Sequence, residues 1–463
     1  MHRDKQTLLK KHRRQKRIGV FLLLIFLLAL GFSLGWLWSA LLLLLAWVAH
    51  EAWLADHLFY SPKWDYQYQF PENSQRYTVK LIGNRLVFDG VLPERYSAFL
   101  QVTLRSEFLG WFRDPHVDIA GARQDFERGA QGVRYLNLSG FGAQLHEGLA
   151  LNPQYCRLVE EAVLWVFPVP ETDGPVLVLA PHADDAELAA FSVCQSASDV
   201  SLVTVSQGEI SAQYYQRLGL DREAAARLKG RLRSWNSLSI PLWSGIPASN
   251  CWQLGYYCLQ LAAMQREPEL GLPSLESGEA DIRSVRQHNP TRLPGDDDGH
   301  SSWRNLVAAL TALLESIKPA VVVTPHPELD PHPDHIAVTQ ALQEALSQSH
   351  WQPKQLWLYA NHLHDNDRWP MGPEGGGVAL PPAYGTLPVD ALYSRELSRA
   401  QQIDKAMALA MQHDLKLPLP LKQRIRRCIQ RCLVGRRWPV TGEDEFFRKA
   451  VRSQEIFWVR ELR

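Results

Sequence analysis

The sequence predicts an α/β fold in which a C-terminal domain on a parallel sheet follows an N-terminal membrane hairpin and a small β-rich domain. Three observations carry this expectation. Residues 18–49 contain no charged side chain, so a bilayer is their expected solvent. Residues 75–150 break into short runs rich in β-branched and aromatic residues. From about residue 174, strand-like and helix-like segments alternate, which is the order of a Rossmann-like parallel sheet. A chain of 463 residues has room for two to three domains. The expected division is a basic cytoplasmic tail at 1–17, a transmembrane hairpin at 18–49, an interfacial linker at 50–74, a small β-domain at 75–150 and the C-terminal domain at 174–463.

Formal charge sums to zero but is unevenly spread. Residues 1–17 carry eight Lys or Arg against one Asp, and residues 422–437 carry seven Lys or Arg and no acid. A membrane surface explains both patches more simply than nucleic acid does, so no nucleic-acid partner is expected. As one helix, residues 18–49 would measure about 48 Å against a hydrocarbon core of about 30 Å. A break at Gly31-Phe32-Ser33-Leu34-Gly35 gives two short helices. A hairpin keeps both ends in the cytoplasm by the positive-inside rule, whereas a single tilted helix would export the rest of the chain. The hairpin is the expected form, with the protein in the inner (cytoplasmic) membrane and its C-terminal domain facing the cytoplasm. A signal peptide is a poorer fit, because no small-x-small cleavage site follows a short apolar core. The aromatic run Trp53, Phe59, Tyr60, Trp64, Tyr66, Tyr68 and Phe70 fits a segment leaving the bilayer interface.

In the β-rich region, strands are expected at 77–82, 85–88, 99–104 and 133–138, forming an antiparallel spacer or glycan-binding unit. In the C-terminal domain they are expected at 176–180, 200–206, 320–324 and 355–360. Helices are expected near 222–237, 303–317 and 335–347, with a long one near 390–412 and a basic amphipathic one near 420–434. Residues 245–290 resemble an insertion. Leu293-Pro294-Gly295-Asp296-Asp297-Asp298-Gly299 has the composition of a mobile loop, either a lid or a solvated turn. None of the six cysteines forms a Cys-x-x-Cys pair; Cys428 and Cys432 share a helical face with Ile425, Ile429 and Leu433 and are expected in the core.

The chemistry is concentrated at two strand ends. Val176-Leu177-Val178-Leu179-Ala180 runs into Pro181-His182-Ala183-Asp184-Asp185-Ala186-Glu187. Val321-Val322-Val323-Thr324 runs into Pro325-His326-Pro327-Glu328-Leu329-Asp330-Pro331-His332-Pro333-Asp334-His335. Open α/β sheets bind ligands at the carboxyl ends of their strands. His182 and Asp185 are three apart and share a face on a first helical turn. His335, arriving from the second strand end, completes a three-ligand zinc site with a fourth position open, the pattern of a catalytic centre. Zinc lowers the pKa of water toward 7, and Asp184, beside a ligand but pointing elsewhere, is free to act as general base. His326 and Asp330 read as loop-shaping residues. His362, His364, Asp365 and Asp367 follow the strand-like Leu356-Trp357-Leu358-Tyr359 and either meet sugar hydroxyls or form a solvated loop.

Pro-His-x-Asp-Asp followed by His-Pro-Asp-His resembles the LmbE/PIG-L family of zinc-dependent de-N-acetylases, over about residues 174–245 and 290–450. Val203-Thr204-Val205-Ser206-Gln207-Gly208-Glu209 looks like the family's second strand and Gly-Glu turn, and Leu293-Pro294 with Asp298-Gly299 loosely resembles the segment ahead of its second motif. The resemblance implies that His182, Asp185 and His335 bind zinc and that Asp184 is the base. It implies that His332 faces the substrate carbonyl and that Asp334 orients or polarises His332. Ala183 stands where the family usually has Pro, and Ala186 where it usually has Glu; Glu187 is one position off. The expected partner is an N-acetylated amino-sugar glycan or glycolipid at a membrane, of lipopolysaccharide-precursor type. The alternatives are a zinc amidase on another acyl amide and a non-catalytic, membrane-tethered glycan-binding protein, which Ala186 favours.

Overall fold

The computed structural model describes residues 5–71, 74–171, 173–196, 199–382 and 387–462. Helix α1 runs from Lys5 to Leu34 and α2 from Trp36 to Ala49, continued by a π-helical turn over His50–Leu54. They fold back on each other at Gly35, whose φ of 101° lies where only glycine sits without strain. Ser39 Oγ donates to Leu27 O at 2.8 Å across the pair. Both helices are long and apolar enough to cross a membrane, and their side chains point outward: Phe21, Phe32 and Leu37 are among the exposed ones. Residues 5–17, expected as a tail, instead form the first turns of α1; Lys, Arg, Gln and Leu all favour helix. Residues 1–4 of that expected tail lie outside the described residues.

The β-rich region is larger than expected. Its strands are β1 (Gln75–Ile82), β2 (Arg85–Leu86), β3 (Tyr96–Ser106), β4 (His116–Ile119), β5 (Ala122–Asp125), β6 (Gln131–Asn137), β7 (Leu149–Gln154) and β8 (Cys156–Pro168). They form one sheet in the order β5-β4-β7-β2-β1-β8-β3-β6, with every pair antiparallel. The expected boundary at 150 fails because β8, running to Pro168, is the partner of both β1 and β3.

The second sheet contains β9 (Val176–Ala180), β10 (Val200–Ser206), β11 (Cys251–Tyr256), β12 (Val321–Pro325), β13 (Gln355–Tyr359), β14 (Ala391–Glu396) and β15 (Gln454–Glu461). Its order is β11-β10-β9-β12-β13-β15-β14. The first five strands are parallel, and β15 and β14 add antiparallel. Strands β9, β10 and β12 are buried at every position, the mark of a sheet covered on both faces. Helices Arg222–Ser239, Trp303–Ile317 and Pro333–Gln348 cover it. Two expectations are corrected here. Residues 245–290, expected to lack a regular element, supply edge strand β11. The expected helix near 390–412 is β14 followed by the helix Arg399–Met411, which starts at a Ser398 capping box.

The two sheets share apolar packing: Tyr60, Phe99 and Phe167 belong to the same buried cluster as Leu177, Trp303 and Trp458. The amphipathic helix Leu421–Leu433 packs on the turn that ends α2. Its Arg426 pairs with buried Glu51, and Gln430 Nε2 donates to Glu51 O at 3.1 Å. Cys428 and Cys432 are exposed, not in the core as expected, because the helix turns its other side to the π-helical turn, where Gln430 is buried.

Candidate metal centre

Strand order reverses between β9 and β12: β9 leads outward to β10 on one side and has β12 on the other. Crevices open at the carboxyl ends of strands at such a point. β9 ends at Ala180; Pro181, His182 and Ala183 turn the chain, and Asp185 opens a short helix, Asp185–Ala189. Asp184 occupies the left-handed region, with φ of 104°, which for a residue other than glycine costs of order 1–3 kcal/mol. β12 ends at Pro325, and the following loop enters the helix Pro333–Gln348 through His332. Pro333 suits that first helical position because no N–H is needed there.

These two turns bring three donor atoms together. Asp185 Oδ2 lies 3.1 Å from His182 Nδ1 and 3.2 Å from His335 Nε2, and the two nitrogens are 3.4 Å apart. A tetrahedral zinc with bonds of about 2.0–2.1 Å separates its ligands by roughly 3.3 Å, so this donor set fits zinc. The rest of each ligand is tied down. His182 Nε2 meets Asp334 Oδ2 at 3.1 Å, and His335 Nδ1 is at ion-pair distance, 2.9 Å, from Asp330 Oδ2. Asn361 Nδ2 donates to the other Asp185 oxygen at 2.8 Å. Carboxylates on the far nitrogen of a histidine fix its tautomer and strengthen it as a ligand.

Asp334 therefore departs from expectation. Its carboxylate holds His182 and accepts from Leu259 N, while only its backbone N–H reaches His332, donating to Nδ1 at 3.3 Å. His332 sets its ring 4.8 Å from both His182, edge-on, and His335, at a tilt. Burial pushes its pKa down to about 3, helped by the two neighbouring histidines, so it is neutral. With Nδ1 accepting a hydrogen bond, its proton sits on Nε2.

Asp184 does not join the triangle. Its Oδ1 is 3.4 Å from Arg233 Nη2, and Arg233 also donates to Asp414 Oδ2 at 2.6 Å. Burial lifts the Asp184 carboxyl to about 6 against the pull of Arg233. Glu187, the carboxylate one position off the usual one, is buried, pushed up to about 7 first by burial, and accepts from Gln412. Ala186 is packed in the apolar core beneath the turn.

His326 shapes the loop, its Nδ1 accepting from the N–H groups of Glu328 and Leu329. Asp330 accepts from Asn361 N and His362 N besides holding His335. His362 comes into the site, its ring 5.4 Å from that of His335; His364 pairs with Asp365, and Asp367 with His57. Leu293–Gly299 is tied rather than loose: Asp296 accepts from Arg286 and from Leu293 N, and Asp298 from Asn305. Sequence reasoning missed Arg233, Asn361, Asp414 and Cys258, the last of which offers a sulfur beside His182 and Asp334. Arg233 sits in a helix with several other arginines, and nothing in its sequence context sets it apart.

Residues 177–346 match the model of the family described as PIG-L, GlcNAc-PI de-N-acetylase. The match spans a little over a third of the chain. PIG-L deacetylases are zinc-dependent hydrolases of amides. The matched segment begins in β9 and ends in the helix that carries His335, so it contains both motif turns. No curated protein matches the chain. Among solved structures, a triple mutant of a deacetylase in teicoplanin biosynthesis is 14% identical over 62% of this chain and 98% of its own, with a TM-score of 0.33. The zinc-inhibited form of teicoplanin deacetylase Orf2 is 17% identical over the same shares, 62% and 98%, with a TM-score of 0.32. The conserved protein TT1542 from Thermus thermophilus is 16% identical over 57% and 88%, with a TM-score of 0.28. Likeness at this level carries no weight for function.

Proposed function

We propose that this protein is a membrane-anchored, zinc-dependent de-N-acetylase that removes the acetyl group from an amino sugar of a lipid-linked or surface-glycan precursor. The observation that carries this reading is the donor triangle of His182, Asp185 and His335, set beside a buried carboxylate, Asp184, that takes no part in it. His182, Asp185 and His335 would hold the zinc. Bound there, zinc would supply Lewis acidity, polarising a carbonyl oxygen and lowering the pKa of water.

The chain's own groups account for the proton transfers. Asp184 takes a proton from the attacking water; its raised basicity suits that task. Neutral His332 donates its Nε2 proton as a hydrogen bond to the oxygen on which negative charge develops. Asp184 then returns its proton to the departing nitrogen. One water is consumed, the C–N bond breaks, and acetate and a free amine leave. Asp334 and Asp330 hold the two histidines in place and touch no substrate atom.

The anchoring part of the proposal rests on α1 and α2. The basic start of α1 and the end of α2 lie together, with the rings of His12 and His57 5.2 Å apart. A hairpin of this form returns the chain to the side it left, and eight basic residues before the first span favour the cytoplasm. The test is direct. Purified chain should contain about one zinc and release acetate from N-acetylglucosamine conjugates. Zinc-loaded protein that releases none from any N-acetyl sugar would end the de-N-acetylase reading.

A further inference from the structure

At the foot of the hairpin is a cavity of about 590 Å³ that the chemistry above leaves unused. That is an ordinary size for a ligand pocket. Its walls come from four separated stretches: α1, the turn after α2, the β-rich region and the segment after β13. Six basic or imidazole side chains line it: His12, Lys16, His50, His57, Arg128 and Arg368. The acids there are already engaged. Glu127 accepts from Tyr66 and Arg134. Asp56 is paired with Arg436 at 2.6 Å.

Charge does not balance behind the wall. Arg368 and Arg436 donate to Asp114 Oδ2 at 2.8 and 3.1 Å, and Arg128 stands 3.7 Å from Asp114 Oδ1, beyond hydrogen-bond reach. Three guanidiniums thus face the two carboxylates of Asp56 and Asp114. One donor on a cavity-lining residue, Arg128 Nη1, is buried with no acceptor within hydrogen-bond reach among the described residues. A buried donor without an acceptor costs about 1–3 kcal/mol, so an acceptor is called for.

We propose that this cavity binds a phosphate group carried by a membrane lipid. The lipid origin rests on the reading of α1 and α2 as a membrane hairpin, since the cavity lies where that hairpin meets the body of the protein. The cavity and the metal site are also joined by one short stretch of chain. His362 is at the metal site, and Asn366, four residues on, lines the cavity. Four residues of extended chain span at most about 14 Å.

The experiment uses the full chain in dodecyl maltoside, which contains no phosphate. Binding of inorganic phosphate, of dihexanoyl phosphatidic acid and of N-acetylglucosamine 1-phosphate is measured by titration calorimetry, with zinc content recorded in parallel. Phosphatidic acid should bind, and inorganic phosphate should compete with it. The double variant H12Q/K16Q, confined to α1, should bind at least about tenfold more weakly with unchanged zinc; R128Q should do the same and adds a check from the β-rich wall. Tighter binding of the sugar phosphate than of phosphatidic acid assigns the site to the substrate, and the reverse order assigns it to a bilayer phospholipid. Failure of wild type to bind any of the three, or unchanged affinity in H12Q/K16Q, overturns the proposal. Extraction of the chain from membranes by alkaline carbonate would instead overturn the hairpin and leave phosphate binding to be judged alone. Inactivity on N-acetyl sugars with intact phosphate binding would count only against the de-N-acetylase reading.

Discussion

Asp184 and Asp185 are adjacent and chemically identical, yet the backbone gives them opposite surroundings. Asp185 opens a helix and turns into the histidine pair; Asp184, at φ 104°, turns toward Arg233. Asparagine tolerates the left-handed region nearly as well as any residue but glycine, so Asp184→Asn tests chemistry without disturbing the turn. It should keep zinc and lower kcat by about 10²–10⁴-fold, the usual worth of a general base. Full activity with normal zinc would assign the proton to another group. Asp330→Asn makes a different demand. It leaves His335 without its carboxylate partner and should weaken zinc about 10–100-fold in a chelator competition, with little change in the kcat of the metal-saturated enzyme. The first of these residues stands out in the sequence because it belongs to a dense motif. The support around it does not: Arg233, Asn361 and Asp414 come from three separate segments and meet only when the sheet and its covering helices are assembled.

Among the elements, strands β9, β10, β12 and β13 stand within a residue or so of their expected places, because a run buried on both faces is apolar throughout. Strands β14 and β15 were invisible to the same logic. Each is mixed in character, for instance Ala391-Leu392-Tyr393-Ser394-Arg395-Glu396, and its polar residues have tertiary partners such as Asn137, whose Nδ2 donates to Ser394 Oγ. Helix Arg399–Met411 is held to β15 by a buried pair, Lys405 Nζ to Glu455 Oε1 at 2.7 Å, and Ser192 donates to the same carboxylate. Removing one partner strands a buried charge, so Lys405→Met should destabilise the chain by about 3–5 kcal/mol in denaturant titration. Helix Leu421–Leu433 offers a simpler check. Cys428 and Cys432 are exposed and the other four cysteines are buried. Native protein should react with two equivalents of a thiol reagent quickly and with four more only after unfolding; protection of Cys428 and Cys432 outside a membrane would contradict the exposed face.

At the scale of the molecule, the β-rich sheet, expected as a spacer or glycan-binding unit, shares a buried cluster with the second sheet through Phe99, Tyr135 and Phe167. Alternation within single strands signals an apolar face and does not say what covers it, which is why this union could not be read from sequence. A C-terminal reporter that functions only in the cytoplasm should be active when fused to this chain, given the paired helices α1 and α2; activity confined to a periplasmic reporter would require a single span instead.

The hairpin foot also carries a timing constraint. Glu51 is buried, and the side chain that neutralises it, Arg426, lies 375 residues further along the chain. At about 5–20 residues per second, synthesis of that interval takes roughly 20–75 s. Throughout that interval the apolar helices are already made, while the carboxylate beside them has no counter-charge and must stay hydrated. The junction between the helical hairpin and the rest of the molecule therefore cannot close until residue 426 has been made.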